Sequence, residues 1–363
     1  MRVVVKVGSS SLTDDAGVIA ADAISALSEQ IGSAQRDGHE VLLVSSGAVA
    51  SGLPVLGLGE SQRPSDPRTL QAIASVGQAR LMQSWNDAFD QNGLIAGQVL
   101  LAPRDFMIRS QYLQARGTLE RLIELGVVPI VNENDTVADD EIRFGDNDRI
   151  AALVAHLVKA DLLVILSDIA GVMDADPTID SNASLIEEIE EVDADLEALA
   201  GGAGTARGSG GMATKLAAAR MASWSGIRVV IGAAKRPDVL LDAIAGRQGV
   251  GTTVKALDKR LSARKLWIAF AVPAMGRIVV DEGAARAVTS GGRSLLAAGV
   301  VDVTGEFVED DAVDVVDKGG RILAKGLTQM SSAGVRAVAG RRSDDLTDGS
   351  GEVIHRDSMV VLT

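Results

Sequence analysis

No cysteine occurs in this chain, which excludes disulfides, thiolate catalysis and cysteine-ligated zinc in one step. Histidine is nearly as scarce. His39, His156 and His355 stand far apart and none has a supporting motif, so a histidine-dependent triad would need a convergence the sequence does not announce. Aromatic side chains make up 2% of the residues, with Tyr112 the only tyrosine, and stacking platforms for bases are correspondingly few. Positive charge is also short. The formal net charge is −14, whereas a broad nucleic-acid surface needs a basic face. Small anionic substrates are compatible with that balance, because a local pair of lysines can outweigh the global field. No apolar run reaches the ~18 residues of a transmembrane helix. The best candidate, from Ile150 to Val158, is interrupted by His156, and Met1 to Val7 is too short and too broken by charge for a signal-peptide core. A soluble, cytoplasmic protein is the expectation, with no membrane partner.

What is present is enough apolar material for two cores: 363 residues, 47% of them hydrophobic. Strand-like and helix-like segments alternate through the first two thirds, the pattern of βαβ units and a mainly parallel sheet. Strands are expected at Val3 to Val7, Val41 to Val44, Leu94 to Leu101, Val127 to Val131, Leu162 to Leu166 and Arg228 to Ile231. Helices are expected near 19–36, 69–90, 110–125, 147–159 and 212–225, giving a three-layer α/β/α domain over residues 1–265. From about Met275 to Thr363 the runs shorten and glycines multiply, which suggests a small, mostly β barrel. Lys plus Arg number 10 there against 14 Asp plus Glu, so this module is not basic.

Chemistry gathers where strands end, the place where open α/β sheets bind ligands. Lys6 interrupts an apolar first strand and is followed by Gly8-Ser9-Ser10. A buried ammonium needs an anion or a carboxylate beside it, although a snorkelling lysine would look the same. The second strand runs into Ser45-Ser46-Gly47-Ala48, and the fourth into Asn132-Glu133-Asn134-Asp135, followed by Gly145-Asp146-Asn147-Asp148 before a helix. Carboxylates suit an ammonium group, amides can donate to a carboxylate, and a helix start offers free N–H groups. Together these are what an amino acid requires. Helix caps and an acidic turn would produce similar letters. Ser167-Asp168 follows the fifth strand; that carboxylate could orient two lysines or help position a magnesium–nucleotide complex. The glycine-dense stretch 201–211 ends Ser209-Gly210-Gly211-Met212-Ala213-Thr214-Lys215, placing an ammonium and a helix start near one point. It is not a Walker A loop, because no Gly-x4-Gly-Lys-Ser/Thr occurs in the chain.

In order and spacing, these clusters closely resemble the amino acid kinase family, and within it the branch that acts on glutamate. The tail, 275–363, resembles a PUA domain. The resemblance implies ATP-dependent phosphorylation of the γ-carboxylate of L-glutamate, giving L-glutamyl 5-phosphate, the first step of proline biosynthesis. Aspartate or acetylglutamate as acceptor is the alternative within the family, and RNA binding through the tail is the alternative outside it. The resemblance also implies ATP contacts from Lys6, Ser167, Asp168, Ser209, Gly210, Gly211, Met212, Ala213, Thr214 and Lys215, with Mg²⁺ arriving on the nucleotide rather than in a protein metal site. It implies substrate contacts from Ser46, Asp135 and Asn147, Asp135 pairing with the α-ammonium and Asn147 donating to a ligand oxygen. Lys6 and Lys215 would act in catalysis, with Asp168 holding them in place. Proline as feedback inhibitor, a homo-oligomer and functional coupling to glutamyl phosphate reductase follow from the same resemblance. The chain departs from the family pattern at Met173-Asp174, where Tyr-Thr is usual, and at Ser209, where Thr is common.

Overall fold

The computed structural model describes residues 1–14, 16–106, 108–137, 147–175, 183–193, 196, 211–257, 261–272, 274–342 and 351–362. They form two compact units, Met1–Arg260 and Leu261–Thr363.

The first unit is built on an eight-stranded sheet: β1 (Arg2–Val7), β2 (Glu40–Ser45), β3 (Ile95–Leu101), β4 (Val127–Glu133), β5 (Leu162–Ser167), β6 (Glu188–Ile189), β7 (Arg228–Ala233) and β8 (Gly251–Val254). Its order is β3-β4-β2-β1-β5-β7-β8-β6. From β3 to β7 all neighbours are parallel, and β8 runs antiparallel to β7. The valine-rich β1 explains its central place. Parallel strands covered on both faces read as unbroken apolar runs, and Val3, Val4 and Val5 are fully buried. The chain leaves β1 toward β2 on one side and reaches β5 on the other, which makes the carboxyl end of β1 a topological switch point.

Helices cover both faces. Val3, Val5 and Val7 join a core with Ile24 and Ile31 of α2 (Ala21–Arg36, after the short α1, Ser9–Leu12), and with Leu81, Trp85 and Phe89 of α4 (Pro67–Gln91). Between these lies α3 (Ala48–Val55), and after them come α5 (Arg109–Glu124), α6 (Asn147–Leu157), α7 (Met212–Trp224) and α8 (Val239–Ala245). The strands and helices anticipated from periodicity are all found in the first unit. The antiparallel β8 and the two-residue β6 were not anticipated, because Gly251-Thr252-Thr253-Val254 carries no alternation to mark it.

Glycine sets how closely α3 and α4 pack. A Cβ on Gly77 would collide with the Ala48 carbonyl oxygen, and one on Gly52 with that of Ile73, so the two backbones touch. Gly77→Ala should therefore lower stability by roughly 1–3 kcal/mol, the usual cost of overpacking. Gly117→Ala on α5, where a Cβ meets nothing within 4 Å, should gain up to ~1 kcal/mol from helix propensity. Urea denaturation of both variants checks the pair, and equal midpoints would refute the packing argument.

The second unit has a five-stranded sheet, order β11-β9-β12-β13-β15, built from β9 (Gly276–Val280), β11 (Val300–Gly305), β12 (Ala312–Val316), β13 (Ile322–Leu327) and β15 (Met359–Val361), and a two-stranded pairing of β10 (Leu295–Leu296) with β14 (Glu352–Ile354). It has its own core around Ile278, Val303, Val315 and Val353. The short α9 (Ala263–Leu266) and the turn Trp267–Ala271 precede β9 and are tied to this sheet by the Lys325 ammonium, which donates to the Val272 carbonyl. As α3 and α8 were not anticipated in the first unit, α10 (Glu282–Thr289) and α11 (Ser332–Val338) were not in this one. Both carry the N-cap signal, since Asp281 accepts from the Ala284 N–H and Ser331 from the Gly334 N–H.

Candidate active site

The pleat of β1 decides where its one lysine goes. With Val3, Val5 and Val7 committed to the core beneath α2 and α4, Lys6 faces the opposite side of the sheet, 5% exposed. An ammonium so buried requires a counter-charge. Asp148, at the second position of α6, supplies it, with Lys6 Nζ 2.5 Å from Asp148 Oδ1. Lys215 of α7 brings a second ammonium to the other oxygen, 3.4 Å from Oδ2, and the Thr214 hydroxyl donates to that oxygen at 3.0 Å. Burial alone would push the Asp148 carboxyl up. The charges of Lys6 and Lys215, aided by the hydrogen bonds from Lys6 and Thr214, outweigh it and hold the group below the usual carboxylate range. Three positions separated by 142 and 67 residues thus form one buried charge cluster with two cations facing one anion.

The residue before Asp148 belongs to a second network. The Asn147 amide donates from Nδ2 to Ser46 Oγ and to Asn132 Oδ1, each at 3.0 Å. The Glu133 backbone N–H donates to Asn132 Oδ1 at 2.9 Å and to Asn147 Oδ1 at 3.3 Å. Asn132 in turn donates from Nδ2 to Gln78 Oε1 on α4, at 2.7 Å. The turn after β2 is held from behind, because Trp85 Nε1 donates to Ser45 Oγ at 3.0 Å and that hydroxyl donates to the Ser46 carbonyl. Gly47, at φ 113°, occupies the left-handed region that lets the chain enter α3 there. Asp135 opens the short turn Asp135–Val137 immediately beyond β4, and burial pushes its carboxyl up to about 6.

Comparison with known proteins identifies the arrangement. The family model described as "Amino acid kinase family" matches residues 1–233. The chain belongs to the amino acid kinase family. A second model, the PUA domain, matches residues 276–349. The chain is 45% identical to a glutamate 5-kinase of Caldanaerobacter subterraneus subsp. tengcongensis, over 100% of its own length and 98% of that protein. It is 44% identical to a glutamate 5-kinase of Herminiimonas arsenicoxydans, over 99% and 98%. Among solved structures, the carbamate kinase of Giardia lamblia bound to AMP-PNP shares the fold at TM-score 0.50 and 19% identity, covering 70% of this chain and 98% of that one.

In this amino acid kinase the carboxylate between the two lysines is Asp148, where the sequence reading had given that part to Asp168. Asp168 is exposed and accepts a hydrogen bond from Ser167 Oγ at 3.0 Å. The reason is facial. Asp168 lies past the end of β5, whereas Asp148 is 2% exposed on a helix that packs over β1. Both hydrogens of Asn147 Nδ2 are engaged by Ser46 and Asn132, and the Ser46 hydroxyl, which accepts from Asn147, keeps its own hydrogen to donate. Gly211, Met212, Ala213, Thr214 and Lys215 lie at the start of α7, with Gly211 as its extended N-cap. Gly145, Asp146, Ser209 and Gly210 fall outside the described residues. Gln78 and Trp85 were missed. They sit mid-helix, with no motif to mark them, and only the α4 packing turns them toward the strand ends. His156, nine residues after Asn147 on α6, stands roughly 13 Å along the helix. Burial, reinforced by Arg116, lowers its pKa to about 4 and leaves it neutral at pH 7.

Proposed function

We propose that this amino acid kinase transfers the γ-phosphoryl group of ATP to the γ-carboxylate of L-glutamate, giving L-glutamyl 5-phosphate for proline biosynthesis. The observation that carries the reading is the start of α6. Asn147 joins the Ser46 and Asn132 amide network and Asp148 joins the two lysines, so an amino-acid subsite and an anion subsite adjoin through consecutive residues. Full-length relatives at 44–45% identity bear the name glutamate 5-kinase, which supports the same acceptor.

A γ-carboxylate is ionised at pH 7, since its ordinary pKa is about 4.3, and it needs no general base. That agrees with the neutral His156. The work left to the protein is to align two anions and to neutralise charge on the transferring phosphoryl group. Lys6 and Lys215 do this. Asp148 offsets the repulsion between them and sets their spacing. ATP would lie along Lys6, Ser167, Asp168 and the segment 209–215. Asp168, an exposed oxygen donor at the same end of the sheet, fits a Mg²⁺ ion carried by the nucleotide; among the described residues no cluster of metal-ligating side chains forms a cage of its own. The ion, when bound, screens phosphate charge. Glutamate would receive the Ser46 hydroxyl on a carboxylate oxygen and Asp135 on its ammonium. Proline shares that amino and carboxylate end, so it would compete for the same contacts as feedback inhibitor. Release of ADP across a panel of glutamate, aspartate and acetylglutamate, with hydroxylamine trapping of the acyl phosphate, tests the reading. No trapped product with glutamate, or a better one with another acceptor, would refute it.

Asp135 adds a pH signature. Its carboxyl sits at about 6 and only the ionised form attracts an ammonium, so kcat/KM for glutamate should fall about tenfold per unit below pH 6. The substrate carboxyl titrates well below that. Asp135→Asn should abolish this limb and raise the glutamate KM by the ~10–100-fold expected of a charged hydrogen bond of 1.5–3 kcal/mol. Proline inhibition should weaken in parallel, while the KM for ATP stays near wild type. An unchanged acid limb in Asp135→Asn would assign the titration elsewhere.

A further inference from the structure

The amide network at the ends of β2 and β4 has a direction, with the Glu133 N–H and Gln78 as its anchors. A backbone N–H can only donate, so the two atoms that meet the Glu133 N–H, Asn132 Oδ1 and Asn147 Oδ1, must be the amide oxygens. Their nitrogens then point the other way. Asn147 Nδ2 donates to Ser46 Oγ and Asn132 Nδ2 donates to Gln78 Oε1. With one lone pair engaged by Asn147, the Ser46 hydroxyl keeps its hydrogen to donate. Were the Asn147 amide reversed, Ser46 would spend its hydrogen on Asn147 Oδ1 and would present only lone pairs to an anionic ligand.

We propose that Gln78 is a positioning residue for the acceptor substrate: by accepting from Asn132 it adds a second anchor to the one supplied by the Glu133 N–H and holds the Asn132–Asn147–Ser46 relay in place, so that Ser46 meets a substrate carboxylate as a donor. This rests on the glutamate reading of the site. Asn132 is 2% exposed, and its Nδ2 has Gln78 Oε1, at 2.7 Å, as the acceptor that fixes it. Removing that acceptor leaves an N–H of a buried side chain unsatisfied and takes away one of the contacts that hold the Asn132 amide, so that the bonds its Oδ1 accepts from Glu133 and Asn147 are less firmly placed. The place of Gln78 is itself fixed by packing, since its neighbour Gly77 abuts the backbone of α3 at Ala48. Gln78 bonds to the amide network, whereas the lysines bond to Asp148, so its loss should be felt by the amino-acid substrate and not by the nucleotide.

Three substitutions separate polarity from shape. Gln78→Met keeps length and removes the acceptor, Gln78→Lys can only donate, and Gln78→Glu can only accept. In steady-state kinetics of the full chain, Gln78→Met and Gln78→Lys should raise the KM for glutamate roughly tenfold, the size of one net hydrogen bond. The KM for ATP and kcat should stay within about twofold. Gln78→Glu should keep the glutamate KM within about threefold of wild type. A shape-filling role would instead leave Met closest to wild type, and equal values for Glu and Lys would overturn the proposal even if the Met variant failed to fold. A wild-type enzyme without glutamate-dependent ADP release would refute the functional reading; an active wild type with an unperturbed Gln78→Lys variant refutes this inference alone.

Discussion

Asp148→Ala should unfold at markedly lower urea than the wild type, with a loss of roughly 3–5 kcal/mol, because it leaves two buried ammonium groups with no carboxylate between them. Lys6 and Lys215 are 5% and 7% exposed, so neither can recover its solvation by a small movement. ATP or ADP should restore part of the loss, since phosphate oxygens replace the missing counter-charge and binding to the folded state alone adds stability by mass action. The exposed Asp168 provides the contrast: Asp168→Ala should change stability by no more than ~0.5 kcal/mol. Denaturant titrations with and without nucleotide read both effects. An Asp148→Ala midpoint equal to wild type would mean that the lysines do not depend on this carboxylate. Because the folded Asp148 carboxyl lies below its unfolded value of about 3.9, its stabilisation is fully present above that value. It is lost as pH falls through the folded one.

Lys215→Ala and Lys6→Ala should fold and yet lose turnover by ~10²–10³, the usual effect of removing one preorganised donor from a developing charge. Folding survives because each variant leaves Asp148 one ammonium partner, at 2.5 Å from Lys6 or at 3.4 Å from Lys215. The split between parameters is the sharper test. Both lysines are assigned to charge that grows in the transition state, so kcat should fall far more than the KM for glutamate rises. A folded variant with near-normal kcat would remove its lysine from the mechanism. The double replacement should show non-additive kinetics, since both ammonium groups share one carboxylate, Asp148.

Much of this was present in the order of residues. The run Val3 to Val7 announced a buried parallel strand, and its alternation with helical segments announced the layered domain. A lysine inside that strand announced an anion or a carboxylate nearby, because a lone buried charge is too costly to leave unpaired. The amide-rich end of β4 and the small-residue turn after β2 likewise declared themselves by composition.

What the sequence could not decide was which partners these groups would choose. Two carboxylates, Asp148 and Asp168, stood at suitable strand or helix ends; the side of the sheet on which α6 packs selected the first, and that choice depends on the whole sheet order. Gln78 and Trp85 had no local mark at all. They reach the site because Gly52 and Gly77 let α3 and α4 meet backbone to backbone, a contact between segments more than 20 residues apart. Residue type and strand periodicity are local properties, so the sequence by itself determined the fold class and the polar character of the strand ends. Side-chain pairing is set by facing surfaces brought together over long separations, and only the tertiary structure decided which carboxylate joins the lysines and which amide orients the serine.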